Sequence, residues 1–171
     1  MTSQRFMHDC ASRVATATRC VDEEFPMSTV DISPSRAEEF DQILVLLHQL
    51  WPDWRADEER VRRAFLKGIR SRAQVYLSAR VDGEVIGFAS LTIKNSLWLD
   101  GGPAHTDEMI VHEDFRGQGV GSLLLEELVK VAKRHSCTCI ELDSGFHRTQ
   151  AHEFYRSRGF ESRGLVFSKG L

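Results

Sequence analysis

The chain has 171 residues, 42% of them hydrophobic and 27% charged, with a formal net charge of -3. These values describe one globular domain with an ordinary core. They exclude a strongly basic nucleic-acid binder, and the lack of any run of about eighteen apolar residues excludes a helical membrane span.

Residues 1–27 show no apolar core or cleavage pattern of a signal peptide, and Asp22-Glu23-Glu24 argues against a transit peptide despite Arg5, Arg13 and Arg19. They are expected to be a disordered extension, with Met27 as an alternative start and one domain over 28–171. Cys10, Cys20, Cys137 and Cys139 have neither disulfide nor zinc spacing. Cys137 and Cys139, two apart in a strand-like run, point the same way, and no second Cys/His pair accompanies His135. Free thiols, a reducing cytoplasmic setting and no metal are expected.

In chain order, Thr29 to Ile32 predicts a short strand. Ser33-Pro34 predicts a helix start, with Ser33 at the N-cap, and Phe40, Ile43, Leu44, Leu47 and Leu50 supply that helix's apolar stripe. Trp51-Pro52-Asp53-Trp54 ends it. Asp57 caps a second helix with Val61, Ala64, Phe65 and Ile69 inward. Gln74 to Val81 and Glu84 to Lys94 flank Asp82-Gly83, a hairpin signal. Then come a strand at His105 to His112, an amphipathic helix at Val120 to His135, a strand at Thr138 to Leu142, a helix at Gln150 to Arg158 and a last strand at Leu165 to Ser168. The order is β-αα-βββ-α-β-α-β, a mixed α/β domain.

The segment Met109-Ile110-Val111, followed by Arg116-Gly117-Gln118-Gly119-Val120-Gly121-Ser122, is the most informative. A strand enters a glycine-rich turn and a long helix begins at once. Glycines allow close backbone approach, the helix N-terminus offers unpaired N–H groups and partial positive charge, and Arg116 adds a full charge, so an anionic pyrophosphate fits. The G-x-G-x-G spacing departs from the dinucleotide G-x-G-x-x-G, and Gly121-Ser122 lacks the lysine of a P-loop. A turn without a ligand is the remaining alternative.

This loop resembles the cofactor motif of the GNAT acetyltransferase superfamily, an Arg/Gln-x-x-Gly-x-Gly/Ala turn after a strand, with Arg116, Gly119 and Gly121 at its defining positions. A second stretch, Ala151, Phe154, Tyr155, Gly159 and Phe160, resembles that superfamily's "A-x-x-F-Y-x-x-x-G-F" segment. The resemblance implies the GNAT fold, a mixed central sheet with helices on both faces, and transfer of acetyl from acetyl-CoA to an amine. It implies that Gln118 to Ser122 cradle the pyrophosphate and that Met109, Ile110 and Val111 pair with the pantetheine arm. It also implies that Tyr155 points at the CoA sulfur, where a phenol protonates the leaving thiolate. Tyr155 as a half-buried core aromatic is the alternative.

The ammonium substrate must lose a proton, and Asp107, Glu108 and Asp143 at strand ends are the candidate bases. Alternation along a strand predicts that only one of Asp107 and Glu108 reaches the substrate cleft. His105, His112, His147 and His152 are basic enough but occupy no motif position.

Within the superfamily, Gln49-Leu50-Trp51-Pro52, Thr92 to Gly101, Asp107 and Asp143 resemble the smaller aminoglycoside 6'-N-acetyltransferases. That class often carries His at the position of Tyr155. The tail Phe167 to Leu171 and Ala151 to Tyr155 instead resemble aminoalkylphosphonate acetyltransferases. The first resemblance implies an antibiotic-resistance enzyme acting on a polycation, which an acidic cleft would concentrate. Asp53, Asp57, Glu58, Glu59, Asp100, Asp107, Glu108 and Asp143 would line it, with Trp51, Trp54 and Trp98 as flat walls. Trp51, Asp53, Trp98 and Asp100 are the nearest candidates for substrate contact. A phosphonate would need Arg55, Arg60 and Lys94. A polyamine or peptide acceptor, a non-catalytic CoA-binding module and a homodimer stay open.

Overall fold

The computed structural model describes residues 29–55, 57–97 and 99–170. The extension expected at residues 1–27, with Cys10 and Cys20, and the candidate Trp98 lie outside them. The first helix, α1 (Phe40–Leu50), buries Phe40, Ile43, Leu44 and Leu47 at helical spacing. Each such side chain contributes about 2 kcal/mol when taken from water. It ends at Trp51-Pro52, where proline removes a donor. The second, α2 (Glu58–Ile69), starts as expected at Asp57, whose carboxylate accepts from the Arg60 backbone N–H at 3.1 Å. Ala64, expected inside, is exposed; Phe65 and Gly68 are buried instead. The reason is Tyr76, which stacks flat on Phe65 and lies over Gly68, centring α2 on those two positions.

Five strands form one sheet in the order β1-β2-β3-β4-β5: β1 (Asp31–Pro34), β2 (Gln74–Val81), β3 (Glu84–Ile93), β4 (Pro103–Val111) and β5 (Cys139–Leu142). The first three pairings are antiparallel, and β4–β5 is parallel. The β2–β3 turn is Asp82-Gly83, with φ of 51° and 87°, the left-handed pair a tight hairpin requires. The third helix, α3 (Val120–Arg134), packs Val120, Leu124, Leu128 and Val131 on one face of the sheet. The other face, with Val85, Phe88 and Ile110, is covered by α1 and α2. The short α4 (Thr149–Arg156) follows β5.

Two further expectations fail. Ser33 and Pro34 end β1 and do not start a helix. Arg80 on β2, only 4% exposed, donates to Ser33 Oγ at 2.8 Å and to Pro34 O at 3.0 Å, which takes the hydroxyl the cap would have used. The helical segment begins later, as a 3-10 turn at Ala37–Glu39 in which Glu39 accepts from the Arg36 N–H at 2.9 Å. Leu165 to Ser168 form no strand. Their β-favouring side chains are exposed, Phe167 at 89%, and a strand needs a neighbour's edge to take up its hydrogen bonds.

The same Arg80 holds the β1–α1 corner. Its Nε lies 2.6 Å from Glu39 Oε1 and its Nη2 2.8 Å from Oε2, while Ser78 donates to Oε2 at 3.0 Å. Burial pushes the Glu39 carboxyl up, but Arg80, the Arg36 N–H and Ser78 outweigh it and hold the group below 4.5. The unfolded chain therefore binds this proton at higher pH than the folded one. The pair's contribution is complete above about pH 4.5 and is lost as pH falls through the lowered value. Arg80→Met alone should cost about 3 kcal/mol in urea unfolding, because it leaves a buried carboxylate unpaired. Glu39→Gln should remove the acid-side slope of stability. A slope unchanged in Glu39→Gln would assign it to other carboxylates.

Candidate active site

The site is built on β4. Ala89 of β3 faces Met109, and Leu91 faces Thr106, so Ser90 stands opposite both Asp107 and Glu108. Two residues against one is a β-bulge, which breaks the alternation of side chains. The expectation that only one of the two carboxylates reaches the cleft is therefore overturned. Ser90 donates to Glu108 Oε2, and Thr92 donates to Asp107 Oδ2 at 2.5 Å. Ser90 and Thr92 share one face of β3, so both carboxylates lie on the α1/α2 face.

Asp143, just past β5, joins them through His105. Asp107 Oδ1 is 2.9 Å from His105 Nδ1, and Asp143 Oδ2 is 3.4 Å from Nε2. Lys94 and Glu141, 3.0 Å apart, pair alongside. Burial pushes the Glu108 carboxyl above its usual range; the Ser90 bond opposes this, Asp107 adds to it and His105 offsets part. Tyr76 faces the same group, its phenol raised by burial and then by Glu108 and Asp107. A Cβ at Gly68 would lie 2.1 Å from the Tyr76 hydroxyl oxygen, so only glycine leaves that ring its place.

On the β5 side, β4 is paired only from Pro103 to Thr106. Beyond that point the strands diverge, and the backbone of Met109, Ile110 and Val111 keeps an edge that β5 does not take. At its end Arg116 Nε donates to Val111 O at 3.0 Å, fastening the side chain across the strand end with its charge exposed. Gly117 and Gly119 have φ of 76° and 86°, which side-chain-bearing residues rarely adopt, and Gly119 is the N-cap of α3. Gln118 Nε2 donates to Asp114 O at 2.9 Å. Val120, Gly121 and Ser122 form the first turn of α3; the N–H groups of Val120 and Gly121 lack helical acceptors, while that of Ser122 donates to Gly119 O at 2.9 Å. Arg158 meets the Ser122 hydroxyl and lies over the Phe154 ring at 3.8 Å.

Tyr155 on α4 packs against Phe154 and Phe160. Burial raises its phenol, and Arg148 partly lowers it. Arg148 also donates to Leu50 O at 2.7 Å, tying α4 to the end of α1, next to Trp51 and Asp53. Trp51 is half-buried against Trp54, with 5.8 Å between ring centroids, and Asp53 is exposed. Asp57 is occupied as a helix cap, and Glu58 lies 3.9 Å from His48. Asp100 lies in the β3–β4 loop before β4 begins, next to Gly101 and Gly102, whose backbone meets Ser136 and Thr138.

The sequence reasoning passed over His105, Tyr76, Ser90, Thr92, Arg148 and Arg158. For His105 a signal existed: spacing of two from Asp107 on a strand places both on one face. Among the described residues there is no group of three or more His, Cys, Asp and Glu that could hold a metal, and Cys137 and Cys139 are free. No helix of those residues is long and apolar enough to cross a membrane.

Residues 40–160 match the family model described as the acetyltransferase (GNAT) family. An aminoalkylphosphonate N-acetyltransferase of Salmonella typhimurium is 26% identical over 85% of this chain and 94% of its own length. An aminoglycoside N(6')-acetyltransferase type 1 of Stenotrophomonas maltophilia is 27% identical over 68% of this chain and 76% of its own. The solved structure of AAC(6')-Iy in complex with a bisubstrate analogue superposes with a TM-score of 0.72, covering 84% of this chain and 99% of that one at 21% identity, which shows the shared fold. The glycine turn at the head of α3, the half-paired β4 and the family match lead to one conclusion: the chain belongs to the GNAT family and is an N-acetyltransferase.

Proposed function

We propose that the chain transfers acetyl from acetyl-CoA to a primary amine of a small polycation, with the 6'-amine of an aminoglycoside as the best candidate. The observation that carries this reading is the convergence of Asp107, Glu108 and Asp143 on one face, beside the open edge of β4. The residues present fit acetyl-CoA. Arg116, the N–H groups from Gly117 to Ser122 and the α3 N-terminus would take the pyrophosphate. The backbone of Met109 to Val111 would pair with the pantetheine arm. Acetyl-CoA supplies a thioester whose sulfur leaves as thiolate. Tyr155 donates a proton to that sulfur, and the carboxylate pair at the bulge takes the proton of the incoming ammonium. Acetylation of an aminoglycoside would make the chain a cytoplasmic resistance enzyme.

An aminoalkylphosphonate acceptor is the second reading, supported by the longer match to the Salmonella enzyme. The expected phosphonate ligand Lys94 is, however, engaged with Glu141, which leaves the face acidic.

Three outcomes test these assignments. Gly121 has ordinary φ, and a Cβ there would meet Phe154 and Val111 no closer than 3.7 Å, so Gly121→Asp should fold normally. Its charge at the phosphate site should weaken acetyl-CoA binding about tenfold or more in calorimetry, about 1.4 kcal/mol. Unchanged affinity would remove the loop assignment. Tyr155→Phe should lower kcat by about 10²-fold or less, with the acetyl-CoA KM near wild type; full kcat where chemistry limits the rate would make Tyr155 a packing residue. For the acceptor, thiol release should be followed with kanamycin and 2-aminoethylphosphonate. Asp143→Asn should raise the kanamycin KM about threefold, an effect that shrinks as salt rises. It should leave the phosphonate KM unchanged or lower. A kanamycin KM insensitive to both the substitution and salt would refute the polycation reading.

A further inference from the structure

We propose that His105 carries the substrate's proton from Asp107 to Asp143, linking the reacting amine to solvent. The inference rests on the reading of the bulge carboxylates as the proton acceptor. Both ring nitrogens of His105 face carboxylates, Asp107 at 2.9 Å and Asp143 at 3.4 Å. The outlet is the most exposed member: Asp143 is 58% exposed, against 36% for Asp107 and 14% for the His105 side chain between them. Thr92 fixes the far oxygen of Asp107, so Oδ1 is left aimed at the ring. The groups beside the imidazole from the neighbouring strands are Thr92 on β3, Lys94 just past its end, Glu141 on β5 and Asp143 just past its end; Lys94 is held by Glu141. Asp107 and Asp143 are thus the carboxylates within reach of its nitrogens.

The proton count requires such an exit. An ammonium and acetyl-CoA give an amide, a thiol and one released proton. The ammonium N–H bond breaks as the Asp107 O–H bond forms. Asp107 then passes the proton to Nδ1 of a His105 that carries hydrogen on Nε2. The resulting imidazolium yields the Nε2 proton to Asp143, which releases it to water, and proton exchange with water, loss at Nδ1 and gain at Nε2, restores the starting tautomer. No bond other than these changes, and no oxidant or further reactant is needed. A histidine suits this task because both nitrogens exchange protons near neutral pH.

The test compares wild type, His105→Ala, His105→Gln and Asp107→Asn in the full chain, using acetyl-CoA and whichever amine of the panel above the wild type acetylates. His105→Ala and His105→Gln should both lose about 10²-fold in kcat with the amine KM little changed, and imidazole added to the buffer should restore His105→Ala. Glutamine hydrogen-bonds both carboxylates but carries no proton through, so a His105→Gln enzyme at wild-type rate would reduce His105 to a clamp and overturn the proposal. Circular dichroism checks that both variants fold. A slow Asp107→Asn with a fully active His105→Ala would leave the acceptor reading intact and remove the relay. A fully active Asp107→Asn would remove both.

Discussion

The site depends on one irregularity, the extra residue that β4 carries opposite Ser90. A regular strand continuing from His105 and Thr106 would send Glu108 to the α3 face, among the apolar side chains that pack there, where an ionised carboxylate is costly without a partner. The bulge turns it to the α1/α2 face beside Asp107, and the hydroxyls of Ser90 and Thr92 hold the two in place. Two carboxylates on one face repel each other. The structure relieves this by burying Glu108, which favours its protonated form, and by placing His105 against Asp107.

The second constraint is the divergence of β4 from β5. Pairing stops at Thr106 and Leu142, where Asp143-Ser144-Gly145 replaces strand-forming residues. Divergence leaves the last part of β4 with one free edge that points at the glycine turn and the positive end of α3. On the proposed reading, the same strand would offer carboxylates to an amine on one face and backbone donors and acceptors to an extended ligand along one edge. A group transfer between two substrates needs both within bonding reach of each other, which one strand serving both would provide.

The charge of this face is less extreme than a count of acidic residues suggests. Lys94 offsets Glu141, Asp57 is spent on a helix N-terminus and Glu58 leans on His48. What remains is a compact group of Asp107, Glu108 and Asp143, set beside the exposed Asp53 and the half-buried Trp51. The outer member of this group, Asp143, is largely in water, where its pull on a counter-charge is screened. The α1 end and the start of α4 are joined by Arg148, whose charge also acts on the Tyr155 phenol.

Local chemistry made much of this legible in the sequence. Periodicity marked α1 and α3, because each buries one face against the sheet at a fixed spacing, and the Asp82-Gly83 turn marked the hairpin. The glycine turn was legible because positive φ at Gly117 and Gly119 nearly demands glycine. The family resemblance drawn from that turn and from Ala151 to Phe160 agrees with the match over residues 40–160. Tertiary structure decided the rest. Ser33-Pro34 has the chemistry of a helix start, but Arg80, far along the chain, claims the hydroxyl and carbonyl for β1. Leu165 to Ser168 have the composition of a strand but lack a partner edge. The bulge has no local signature, since it is a mismatch in register between two strands and belongs to neither alone. His105 likewise joins the carboxylate group only because β5 brings Asp143 to its second nitrogen, a contact between positions 105 and 143 that no window of sequence contains.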